Sequence, residues 1–153
     1  MGSRCGGSEG SGRADRAIPA IFEAAFEHAG VRIRVDVLER LPRGNWRMYE
    51  VKASGEVKDH HYDEVALQMH VLRGAGVRLS SANILHINKS YARGKSGISW
   101  PKFFRRVDVK IGAKRRLNGI ETRLRKQRIC LSRTQAPNVE PDTHCQAPLP
   151  CEY

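Results

Sequence analysis

Apolar residues alternate with polar ones in two neighbouring stretches of this chain. In the first, Val31, Ile33, Val35 and Val37 recur at every second position, which predicts a β-strand with Asp36 on its polar side. In the second, Tyr49, Val51 and Ala53 alternate with Glu50 and Lys52, so the acid and the lysine project together from one face. Between them Leu41-Pro42-Arg43-Gly44-Asn45 is rich in turn formers, which makes the pair a candidate hairpin. The period then lengthens. Tyr62, Val65, Ala66, Met69 and Leu72 recur at three- and four-residue spacing, and Gly74 and Gly76 close the pattern, predicting a helix near 60–74. Gln68 stands at the margin of that apolar stripe, facing the sheet, and there it needs a hydrogen-bond partner.

Elsewhere the pattern is plainer. A strand is expected over 81–88 and a polar loop over 90–97. A basic helix near 110–130 follows, with Leu117, Ile120, Leu124 and Leu131 as its apolar stripe. Prolines 137, 141, 148 and 150 oppose regular structure beyond Thr134. Residues 20–27 are ambiguous: propensity favours helix, whereas Phe22, Ala24 and Phe26 alternate as in a strand. Gly94-Lys95-Ser96 resembles the end of a phosphate-binding loop, but Lys89 stands where that loop needs glycine.

A hairpin that brings Asp36 beside Glu50 and Lys52 assembles a recognisable chemistry. Two carboxylates hold a hard divalent cation such as Mg²⁺ or Mn²⁺ through oxygen. The lysine then offsets developing charge or orients an attacking water. Taken alone, the acid–x–lysine pattern is equally that of a solvated strand face bearing an ion pair.

Composition adds a partner. The 153 residues suffice for one domain with its own core, and the formal net charge is +11. Basic residues gather after Arg93, among them Lys102, Arg105, Arg106, Lys114, Arg115 and Arg116. Such a field suits a polyanion, most simply a nucleic-acid backbone, although a solvated basic helix face is the plainer reading. No run of eighteen apolar residues exists, so a membrane-spanning helix is not expected. Residues 1–16 form a Gly/Ser-rich tail without an apolar signal core, expected to be disordered, and the expected compartment is cytoplasmic.

Together, the segments 34–39, 46–54, 57–61 and 63–68 resemble the core of the RecB-like PD-(D/E)XK nucleases. Within that superfamily the similarity is greatest to a bacterial family of unknown function related to the CRISPR-adaptation exonucleases. The resemblance runs from about Phe22 onward and favours a strand over 20–27. It implies an α/β, restriction-endonuclease-like core: a small mixed sheet with flanking helices, spanning 17–133 and truncated at both ends, followed by an irregular tail over 134–153. It implies metal binding by Asp36 and Glu50, catalytic assistance by Lys52, and a motif role for Gln68. Glu23 is a candidate further acid. The activity implied is metal-dependent hydrolysis of DNA, with Arg105, Arg106, Lys114, Arg115 and Arg116 as candidate DNA contacts. The alternative is a nucleic-acid-binding remnant that keeps the fold without cleaving. His70 stands near the position where many members carry tyrosine.

The tail carries the remaining chemistry. Relatives hold an iron–sulfur cluster with one cysteine upstream of the core and three after it, and Cys145 and Cys151 match two of those positions. Cys5 lies in an unrelated glycine-rich tail, so the four-thiolate set is incomplete in this chain. Zinc on Cys130, His144, Cys145 and Cys151 is a second reading whose spacing fits no standard finger. Free, reduced thiols are the reading preferred for this chain.

Overall fold

The computed structural model describes residues 19–146. A five-stranded mixed sheet in the order β1-β2-β3-β4-β5 carries helices against it, giving an α/β architecture. The strands are β1 (Ala20–His28), β2 (Val31–Leu41), β3 (Asn45–Lys52), β4 (Leu79–Ile87) and β5 (Phe104–Asp108). Neighbours are antiparallel except β3 and β4, which are parallel and joined through helix α1 (Asp59–Gly74).

Residues 20–27 therefore take the strand form. Ala29 and Gly30 both have positive φ, 49° and 74°, which is the backbone of a two-residue type I′ turn between β1 and β2. The expected second hairpin also forms, through a single 3₁₀ turn at Pro42–Gly44. The strand expected over 81–88 lies at Leu79–Ile87.

The core lies between one sheet face and α1. Leu38, Met48 and Ile84 from the sheet are fully buried, as are Val65, Ala66 and Leu72 from the helix. Gly112, in helix α3 (Lys110–Arg116), permits the close approach of α1 to α3: a Cβ there would lie 2.5 Å from Cε1 of Tyr62.

Toward the C-terminal side the expectations change. The basic helix predicted near 110–130 is two helices, α3 and a later one at Ile120–Leu131, separated around Gly119, whose φ is +85°. Of the predicted stripe, Ile120 is buried while Leu131 is 84% exposed. The stretch before α3, which shows no clear period, holds the short helix α2 (Trp100–Phe103) and the edge strand β5. We number the helix Ile120–Leu131 as α4. A 3₁₀ turn at Thr143–Cys145 interrupts the otherwise irregular tail. By its internal contacts the chain divides after Ile120, and the Glu50 group lies in the first of the two units.

Candidate active site

Strand β3 presents Met48, Glu50 and Lys52 to the α1 side and Arg47, Tyr49 and Val51 to the other, as alternation requires. Glu50 is nearly buried at 9% exposure, and a carboxylate there must be matched by donors. It has two. Lys52 Nζ donates to Oε1 at 2.8 Å, and Gln68 Nε2 donates to Oε2 at 2.6 Å. Gln68, itself buried, is the glutamine that the helical period places at the stripe margin. Because its amide nitrogen faces a carboxylate, its oxygen is fixed on the far side. That Oε1 is buried and meets no hydrogen-bond donor among the described residues.

Lys52 has a second carboxylate, Glu64, one turn before Gln68 on the same helix. Burial pulls the Lys52 ammonium down, but its hydrogen bonds to Glu50 and Glu64 together outweigh that, and the net shift is above the usual lysine value. At neutral pH Lys52 is therefore a fixed cation rather than a base. Glu64 was missed in the sequence, although its i, i+4 spacing from Gln68 is the signal that would have found it. Beside Lys52 in the parallel ladder lies His86, also buried, with Nδ1 3.0 Å from the Ile87 carbonyl, to which it can only donate. A cleft of about 290 Å³ opens onto this group, lined by Ile33, Arg34, Glu50, Glu64, Leu67 and Gln68.

Asp36 is placed differently. The β1–β2 ladder skips the Glu23/Asp36 position, and the β2–β3 ladder stops at Val37 and Tyr49. Glu23 there takes a φ of +53°, a conformation costly for a residue with a Cβ, of order 1 kcal/mol. The interruption also shifts the facing of β2, so that Val35 and Leu38 are buried rather than Val35 and Val37. Asp36 Oδ2 accepts the Val51 N–H at 2.7 Å, so a side chain holds the backbone where the ladder has ended. The carboxylate is thus tied to the strand that carries Glu50 and Lys52, with no hydrogen bond to either side chain. Glu23 forms an exposed ion pair with Arg34 at 2.7 Å.

Arg105, Arg106, Lys114 and Arg115 are exposed. Arg116 is engaged by Asp59 at 2.5 Å and Asp63 at 3.8 Å, an ion-pair cluster between α3 and α1. Cys130 and Cys145 are free thiols, while Cys5 and Cys151 lie outside the described residues. No group of three or more His, Cys, Asp or Glu side chains spaced for one metal ion occurs among the described residues. No described helix is long and apolar enough to cross a membrane.

The chain matches no family model, no curated protein and no solved structure.

Proposed function

We propose that this domain is a restriction-endonuclease-like nuclease core that hydrolyses DNA phosphodiester bonds with Mg²⁺ or Mn²⁺. The observation that carries the reading is the bridged carboxylate: Glu50 held by Lys52 on one oxygen and by Gln68 on the other. A solvated strand ion pair does not recruit a buried glutamine from the following helix.

The donor set fits a hard cation. Glu50 and Asp36 supply carboxylate oxygens from neighbouring strands, and Gln68, through its amide nitrogen, orients the Glu50 carboxylate. Asp36 and Glu50 would hold the ion, which when bound polarises a phosphate and acidifies its water. The chain's own residues do the rest. Lys52 stays charged and stabilises negative charge that grows on the phosphate oxygens. Glu64 keeps Lys52 from swinging into solvent. Gln68 fixes the plane of the Glu50 carboxylate. The exposed cations of β5 and α3 supply the field for the DNA backbone.

The second reading, nucleic-acid binding without cleavage, is favoured by one observation: an oxygen of Asp36 is engaged by the Val51 N–H. Single-turnover cleavage of labelled single- and double-stranded DNA in Mg²⁺ and in Mn²⁺ separates the two. Metal-dependent cleavage that Glu50→Gln abolishes supports the nuclease. Wild-type protein that binds DNA and metal yet leaves the DNA intact establishes the second reading.

A further inference from the structure

The sheet face opposite Glu50 carries a second arrangement that the cleavage reading leaves unused. Trp100, in α2, is 59% exposed. Its indole lies nearly parallel to the Phe104 ring, at 18° and 6.3 Å between centroids, and meets the edge of Phe103 at 5.8 Å. Phe103 in turn packs edge-on against Tyr91 at 5.7 Å. This cluster is pinned through its backbone. Tyr91 Oη accepts the Ser99 N–H at 2.7 Å, and Asn88 binds the Phe103 carbonyl through its N–H and the Lys102 carbonyl through its side chain. The backbone on either side of the indole is therefore held in place.

Beside it opens a shallow hollow of about 450 Å³, lined by Tyr49, Leu85, Trp100, Pro101, Phe104 and Arg106. The lining contains a cation and no acid. In the β4–β5 ladder Arg106 pairs with Leu85 and so faces the hollow, whereas Arg105 pairs with His86 and faces the Glu50 side. Both arginines are exposed, and β5 is the edge of the sheet, so cations flank that edge on both faces.

We propose that Trp100 and Arg106 form a stacking site for a base of single-stranded nucleic acid, distinct from the Glu50 group. A flat exposed ring accepts any base by its π-face, and an arginine beside it meets the adjoining phosphate. The charge of the rim selects this occupant over an apolar protein partner. A strand seated here finds Arg105 as it turns around β5 toward the opposite face. The inference rests on the nucleic-acid part of the proposed function and not on hydrolysis.

The test is a fluorescence titration of the full chain with oligothymidylate of about 12 nucleotides at low salt, within the usual footprint of such sites. The sequence contains only two tryptophans, so Trp46→Phe leaves Trp100 as the sole indole. Saturable quenching is expected. In the unaltered chain, Trp100→Ala should weaken oligothymidylate binding roughly 5- to 100-fold, with Trp100→Phe recovering part of the loss. Arg106→Glu should weaken it as well, while duplex binding is unaffected by Trp100→Ala. Unchanged oligothymidylate affinity in Trp100→Ala overturns the proposal. So does concentration-dependent quenching without nucleic acid accompanied by a dimer in sedimentation, which would assign the face to a second copy of the chain. Cleavage is measured separately. Intact quenching without any metal-dependent cleavage counts against the hydrolase alone and leaves the stacking site standing.

Discussion

Gln68 donates to Glu50 across 18 residues of chain, at 2.6 Å, and joins helix α1 to strand β3 through two buried polar groups. Hydrogen bonds to a charged acceptor are worth about 1.5–3 kcal/mol, more than a neutral pair. This one also fixes which oxygen of the carboxylate remains for Lys52. Orientation and stability are set by the same contact.

Replacing Gln68 with leucine should therefore be worse than its volume suggests. The substitution leaves Glu50 Oε2 buried without a donor, at a cost of about 1–3 kcal/mol. Urea unfolding should show the midpoint falling without a change in slope. Gln68→Glu should be more destabilising still, because it sets a second carboxylate against the first.

Asp36 offers a clean separation of roles. Asp36→Asn keeps a side-chain oxygen to accept the Val51 N–H and removes only the charge. If Asp36 serves the strand alone, both stability and metal response are unchanged. The nuclease reading expects stability within about 0.5 kcal/mol of wild type and metal-dependent cleavage reduced at least about 100-fold. Calorimetric titration with Mn²⁺ provides the accompanying binding measurement.

Lys52→Met should slow cleavage by about two orders of magnitude and leave DNA affinity within a few-fold, since the cation acts on developing charge. Its pH signature is equally specific. A lysine raised above its ordinary value contributes stability that is fully present below about pH 10 and is lost as pH climbs through the shifted value. The stability gap between wild type and Lys52→Met should hold constant from neutrality to that point and close above it.

His61 predicts the acid limb. It is 3% exposed, and its Nδ1 accepts the Lys58 N–H at 3.0 Å, a histidine in the place where a capping box has Glu or Gln. Burial, and next the neighbouring His60, push its pKa below the usual value. A histidine held neutral in the fold contributes stability present above its unfolded pKa of about 6.5 and lost as pH falls below it. His61→Gln keeps an acceptor but cannot titrate. Its unfolding free energy should fall less than that of wild type between about pH 7 and pH 5.

Where one side chain faces one way in a regular element, this fold was legible in the sequence. Period-two alternation placed β2 and β3 and put Glu50 with Lys52; the helical period placed Gln68 toward the sheet. Strand β5 was not legible, because Phe104-Arg105-Arg106-Val107-Asp108 is mostly charged and owes its extended form to pairing with β4. The break between α3 and α4 was readable in principle from Asn118-Gly119, a pair suited to left-handed backbone. The position of Asp36 was not. Its attachment to the Val51 N–H follows from the interrupted ladder, and strict alternation carries no mark of that interruption.

The parallel pairing of β3 with β4 has a consequence for the order of folding. The β2–β3 hairpin closes over a three-residue turn, and such closures take microseconds. The β3–β4 ladder must instead wait for the whole of α1 to intervene, and non-local pairing is the slower event. Ile84, the ladder partner of Glu50, arrives only then. Lys52, two residues away on the same strand face, is within reach from the start. On this order the Glu50–Lys52 ion pair is expected to form while both groups are still hydrated, before β4 docks beside them.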